Sequence, residues 1–191
     1  MTALTKAVAL TAEKVNRLLA KKERVLVAVD GRCAAGKTTF SAALSNTLCC
    51  PVFHLDDFFL RPEQRTSERM QQPDGNVDYE RFFSEVLQPL AAGQPFSYRP
   101  YDCATRTLKP PVFVPACQVA IIEGAYACCP SLCDYYDLRL FLDVAPSVQK
   151  ERLLARNATK WPDFERKWIP LEERYHQAFS VKERCDLVFS L

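Results

Sequence analysis

The sequence predicts an α/β protein with a five-stranded, mostly parallel sheet and helices on both faces. Short apolar runs alternate with helix-period segments along the 191 residues. Apolar strands separated by helices are the pattern of a sheet covered on both sides. In addition, one apolar run leads into a glycine-containing loop that opens directly into a helical segment, the join at which such sheets gather ligands.

In order, "MTALTKAVALTAEKVNRLLAKKER" is amphipathic and reads as a first helix capping the domain. It contains acid and lacks the apolar core and cleavage site of an export signal. "RVLVAV" (24–29) is the first strand and "KTTFSAALSNTL" (37–48) the helix after it. "PVFHL" (51–55) is the second strand. "YERFFSEVLQPLAAG" (79–93) places Phe82, Phe83, Val86, Leu87 and Leu90 at helical spacing and stops at Gly93. "QVAIIEG" (118–124) and "LRLFLDV" (138–144) are the third and fourth strands, and Pro146 opens a helix. "LEERYHQAF" (171–179) sets Leu171, Tyr175 and Phe179 on one helical face, and "DLVFSL" (186–191) is the fifth strand. Residues 58–77 and 157–168 lack clear periodicity and read as substrate-covering loops. No internal repeat occurs, and one domain over 1–191 is expected.

Composition narrows the function. The net charge is +2, with 48% hydrophobic and 25% charged residues and no block of like charge, which argues against a nucleic-acid partner. No run of about 18 apolar residues is present, so no membrane span is expected. The nine cysteines are odd in number, irregularly placed and form no C-x-x-C pair, which disfavours zinc. Reduced thiols in the cytoplasm are the simplest account. A homo-oligomer is compatible with all of this.

Gly31-Arg32-Cys33-Ala34-Ala35-Gly36-Lys37-Thr38 satisfies G-x-x-x-x-G-K-[ST] with a strand before it and a helix after it. Glycines let the loop curl so that successive N–H groups converge on phosphate oxygens, and the helix start adds its positive end. Residues 31–39, including Thr39, are thus expected to hold ATP. Lys37 is expected on the β/γ-phosphates and the Thr38 hydroxyl on Mg²⁺. The guanine-reading N-K-x-D of GTPases is absent and the chain is short for a motor. A small-molecule kinase remains, against the alternative of a nucleotide-binding regulatory module without acceptor chemistry.

Such a kinase needs an acid beside the acceptor hydroxyl and another for the metal. Polar residues follow three strands: Asp30-Gly31, Asp56-Asp57 and Glu123-Gly124. They are expected to converge on one edge, with Asp56 as general base and Glu123 at Mg²⁺. Asp57 turns aside, as a cap or a ligand of metal-bound water. Arg152 and Arg156, at i and i+4, share a helix face. His54 and His176 read as structural.

Taken together, "GRCAAGKTT", "HLDDFF", "NVDYERF", "IIEGAY" and "YYDLRLFLDV…QKERLLAR" resemble the uridine kinase-like group of P-loop kinases, relatives of nicotinamide riboside kinase and phosphoribulokinase. The resemblance spans about residues 24 to 175. It implies a three-layer P-loop NTPase fold like that of nucleoside monophosphate kinases. It implies phosphoryl transfer from ATP to a nucleoside hydroxyl, most often a uridine- or cytidine-like 5′-OH. Nicotinamide riboside and pantothenate are the alternative acceptors. Asp56 matches the family's base and Glu123 its metal-site acid. Asp78 falls where the family grips the ribose hydroxyls, although an Asp before a helix is also a favoured N-cap. In "RPYDCATRTL", Tyr101 and Asp102 match the family's substrate segment. Cys103 replaces an aromatic there, and Arg106 stands near the place of a histidine. The substrate-covering segment is about 58–110. The lid is about 152–170, with Arg152 and Arg156 acting on the transferring group, Lys160, Arg166 and Lys167 as lesser candidates, and Trp161 and Trp168 anchoring its ends.

Overall fold

The computed structural model describes residues 1–191. Helix α1 (Ala3–Leu19) starts at an N-cap, the Thr2 hydroxyl accepting the Thr5 N–H at 3.2 Å. Its buried stripe of Ala7, Val8, Thr11, Ala12 and Val15 follows the 3.6-residue period. Strand β1 (Val25–Gly31) leads through the glycine loop into α2 (Lys37–Leu48), and β2 (Val52–His54) follows. After a 3₁₀ turn, Leu55–Phe58, come a second one, Pro62–Gln64, and the short α3 (Ser67–Gln71). Helix α4 (Tyr79–Phe82) continues through a π-helical turn, Phe83–Leu87, into α5 (Gln88–Ala92). Two small antiparallel pairs come next. One joins β3 (Phe96–Tyr98) to β6 (Val112–Val114), and the other joins β4 (Tyr101–Asp102) to β5 (Thr107–Leu108). Then come β7 (Val119–Glu123), β8 (Leu138–Asp143) and α6 (Pro146–Asn157). The short α7 (Trp161–Asp163), a π turn Phe164–Trp168 and α8 (Ile169–Phe179) run on to β9 (Leu187–Ser190).

The central sheet has the order β2-β7-β1-β8-β9, and every neighbouring pair is parallel. Alternation along β1 divides the core. Val25, Val27 and Val29 pack with α1 and α2, while Leu26 and Ala28 face the layer that carries Phe82, Val86 and Tyr175. The chain leaves β1 toward β2 on one side, and β8 flanks β1 on the other. This is the switch point where a parallel sheet opens a crevice at its strand ends.

The expected five strands are present. Two local expectations differ. Residues 157–168 are helical rather than a loop, because the π turn adds a residue to one turn and breaks the 3.6 period. In α8 the fully buried face is Glu172, Tyr175 and His176, with Leu171 only half-buried. The face is polar because it meets a buried acid, described next.

Candidate functional site

Strand β1 runs two residues past its expected end, since Asp30 and Gly31 pair with Phe141 and Leu142 of β8. Gly31 has φ +138°, and a Cβ there would lie 2.0 Å from the Leu142 carbonyl oxygen. Only glycine allows this approach. Asp30 is therefore wholly buried rather than at the cleft rim. Its Oδ1 accepts the Gly31 N–H at 2.6 Å. Its Oδ2 accepts the Cys128 N–H and the Tyr175 hydroxyl, both at 2.8 Å. Burial by itself would raise the carboxyl, but neighbouring His176, the Cys128 N–H and Lys37 outweigh it, so Asp30 lies below the usual carboxylate range. One buried anion thus ties the glycine loop to the segment after β7 and to α8.

The N–H groups of the loop divide into two sets. Those of Gly31, Arg32 and Cys33 are committed: to Asp30, to the Leu142 carbonyl at 3.1 Å, and to Glu172 Oε2 at 2.8 Å. The Ala35 N–H closes a turn on the Arg32 carbonyl at 3.1 Å. The N–H groups of Ala34, Gly36, Lys37, Thr38 and Thr39 have no acceptor within the protein. They surround the start of α2, where Gly36 holds φ +92° as N-cap. Five unpaired donors at a helix N-terminus form a cradle for an anion. Lys37 is folded onto the loop, its Nζ donating to the carbonyls of Gly31 at 2.6 Å and Arg32 at 3.1 Å. The Arg32 side chain points away from the cradle and clamps Asp143 and Glu173 at 2.5 and 2.6 Å. The Cys33 thiol is pushed up to about 12 by burial and by Glu172, so it stays protonated.

The loop lines a cavity of about 810 Å³. Asp56, in the turn after β2, lines the same cavity, together with Glu123 at the end of β7. Asp56 is solvent-accessible at the cavity wall, and the protein crowded around its carboxyl raises it above its ordinary range, against the pull of Lys37. Glu123 is buried, and its Oε1 receives the Thr38 hydroxyl at 3.2 Å. Two hard oxygens about 3 Å apart match one edge of an octahedron with bonds of about 2.1 Å, so this pair suits Mg²⁺. His54 Nδ1 lies 2.5 Å from the same Oε1, a contact that raises the imidazole pKa despite burial. The sequence reading treated His54 as structural, and the structure sets it against the site acid. The only signal was its place one residue before the turn that carries Asp56. Asp57 is half-buried and does not line the cavity, while its carbonyl accepts from Arg81 at 2.8 Å.

Arg152, Arg156 and Lys160 line the cavity from α6 and the turn after it. Arg152 donates to the Ala34 carbonyl at 3.0 Å and to the Leu191 oxygen at 2.8 Å. Phe164 and Trp168, on the π turn, also line the wall. Trp161 lies beneath Lys150, away from the cavity, and Arg166 and Lys167 do not line it.

Three expected acceptor contacts are not brought to the cavity. Asp78 is 2% exposed, and its Oδ1 caps α4 at the Arg81 N–H while Oδ2 accepts from Gln64 at 2.8 Å. It serves as the cap, with both oxygens engaged. Tyr101 is buried in the β4–β5 hairpin, and Arg106, with φ +58°, sits exposed at the hairpin turn. Instead, Asn76, Tyr126 and Glu172 line the wall, none of which the sequence reading singled out. Glu172 could have been found as part of a polar i, i+3, i+4 face with Tyr175 and His176.

No protein-family model matches the sequence, and comparison with curated proteins finds no match. Solved structures do match. One, described as a possible uridine kinase from Bacillus stearothermophilus, aligns over 98% of this chain and 100% of its own with a TM-score of 0.72 at 22% identity. Another, YFH7 from Saccharomyces cerevisiae, is described as a candidate P-loop-containing kinase with a circular permutation. It aligns over 96% and 98% with a TM-score of 0.67 at 11% identity. The fold is that of the P-loop kinases. No helix is long and apolar enough to cross a membrane.

Proposed function

We propose that the protein transfers the γ-phosphoryl group of Mg·ATP to a hydroxyl of a nucleoside, a uridine- or cytidine-like 5′-OH, as one P-loop kinase domain acting in the cytoplasm. The observation that carries the proposal is a single cavity lined both by the glycine loop, with its five unpaired N–H groups, and by the Asp56 carboxylate. The description of the Bacillus stearothermophilus protein as a possible uridine kinase supports the acceptor class.

ATP supplies the phosphoryl group, and Mg²⁺ neutralises and orients its oxygens. The residues do the rest. The N–H groups of Ala34 and of Gly36 to Thr39 hold the phosphates, and Lys37 leaves its loop carbonyls for them. Thr38 and Glu123 hold the metal, and His54 fixes the Glu123 carboxylate in position. Asp56 accepts the proton of the attacking hydroxyl. Arg152, Arg156 and Lys160 meet charge developing on the transferred oxygens. Phe164 and Trp168 exclude water from the closed cavity, which limits hydrolysis.

The test is ADP formation with ATP and Mg²⁺, with and without a panel of nucleosides, pantothenate and nicotinamide riboside. The proposal predicts ADP production that depends on a nucleoside and is lost in Lys37→Ala. ADP production indifferent to every acceptor contradicts it.

A further inference from the structure

Resting on the kinase reading, we propose that Arg81 is a positioning residue for the reaction, whose guanidinium fixes the turn that carries Asp56 and so aims the base at the acceptor hydroxyl. The Asp56 carboxylate makes no hydrogen bond of its own within the protein. Its place is therefore set by the backbone of the 3₁₀ turn Leu55–Phe58, which has no side-chain cap.

Arg81 supplies the tether from α4. Its side chain is 10% exposed. One Nη donates to the Asp57 carbonyl at 2.8 Å, on the peptide that directly follows the base. The guanidinium carbon lies 4.2 Å from the centre of the Phe58 ring. Phe58 is fully buried and packs on Phe82 and Tyr98, with ring centres 5.1 and 5.8 Å away. The other Nη donates to the Arg99 carbonyl at 2.7 Å, in the segment that enters β4. One planar group thus grips the turn at two successive residues and braces it against a second segment.

Charge pairing does not account for this placement. Burial works against the cation and lowers its pKa, and the acids meet it only loosely: Nε stands 3.7 Å from Asp78 Oδ2 and Nη1 3.5 Å from Glu85 Oε2. Asp78 Oδ2 already accepts from Gln64. A buried charge with such partners adds little to stability. A guanidinium does provide a rigid fork that reaches two carbonyls while stacking on a ring, which an ammonium cannot reproduce. Displacing a reacting group by about 1 Å costs about 10²-fold in rate, so a base without hydrogen bonds of its own depends on such a brace. Main-chain ties remain without it. The Asp78 N–H donates to the Phe58 carbonyl at 2.7 Å, and Phe59 bridges Val77.

The experiment first finds a nucleoside that the wild type phosphorylates. R81M and R81K are then made with Asp56 present and in an Asp56→Asn background, and single-turnover phosphoryl transfer and the Kd for ATP are measured on each. The proposal predicts that R81M slows transfer about 10–100-fold and keeps the Kd for ATP within about twofold, because the glycine loop is untouched. R81K, which reaches one carbonyl but not both, recovers part of the rate. With Asp56→Asn, R81M changes the rate by less than about threefold, since the group being aimed is already gone. A residue with only a structural role would slow both backgrounds alike, and that result overturns the assignment. Transfer by folded R81M within about twofold of wild type also overturns it. Should R81M not fold, R81K decides by the same comparison of the two backgrounds. Either contrary result leaves the kinase reading standing, whereas a wild type that phosphorylates no nucleoside defeats that reading and this assignment together.

Discussion

Replacing Arg32 by alanine tests how the glycine loop is held from behind. The Arg32 guanidinium donates to Asp143 at 2.5 Å and to Glu173 at 2.6 and 3.1 Å, with all three side chains less than a third exposed. These contacts fasten β8, the loop and α8 to one another. Hydrogen bonds to charged groups contribute about 1.5–3 kcal/mol when well buried and less near the surface, so the three together are worth roughly 2–4 kcal/mol. Lys182 keeps its hold on Asp143, which limits the loss. In a chain of this size about 1 kcal/mol moves Tm by about 2–4 °C, so R32A should melt roughly 5–15 °C lower at pH 7. The sign of the pH effect follows from the acids. Hydrogen bonding to Arg32 lowers Glu173, and Asp143 is lowered by Lys182, the Val144 N–H and Arg32, against the opposing effect of burial. Their stabilisation is present above the unfolded-state values and is lost as pH falls through the lower folded-state values. The Tm gap between wild type and R32A should therefore narrow below about pH 4, near the ordinary carboxylate range. Differential scanning calorimetry from pH 7 to pH 3 measures it. A gap that stays constant across this range would show that Arg32 acts by packing and refute the electrostatic account.

Two further substitutions probe the same framework. Gly31→Ala should cost about 3 kcal/mol or more and abolish ATP binding, because the new Cβ meets the Leu142 backbone in the middle of the sheet; urea unfolding and nucleotide titration read it. Tyr175→Phe removes one donor from the buried Asp30, which should lower stability by about 1.5–3 kcal/mol and weaken ATP binding while leaving the KM of a bound acceptor nearly unchanged; calorimetry and steady-state kinetics separate these effects.

Much of the fold could be read from the residues, since strands buried on both faces appear as apolar runs and the glycine motif is local in sequence. That Asp56, Glu123, Thr38 and Lys37 line one cavity could be read for the same reason: each ends or follows a strand or opens a helix, and the sheet brings those ends together. What escaped depends on contacts far apart in the chain. Asn76 and Asp78 both stand just before a helix, and only the position of Gln64 and Arg81 shows that the acid is engaged and the amide is not. Glu172 lies 139 positions from Cys33, whose N–H it receives. The commitment of Arg32 and Cys33 to the framework rather than to phosphate was equally hidden, because the loop pattern does not show which N–H groups the sheet and α8 take.

The most direct test of the central claim is Asp56→Asn, with nucleotide affinity and single-turnover phosphoryl transfer measured on the same preparation. Removing the base while leaving the loop intact should keep the Kd for ATP within about threefold and reduce the transfer rate by about 10²–10⁴. An Asp56→Asn enzyme that binds ATP and transfers phosphoryl at close to the wild-type rate would contradict the account.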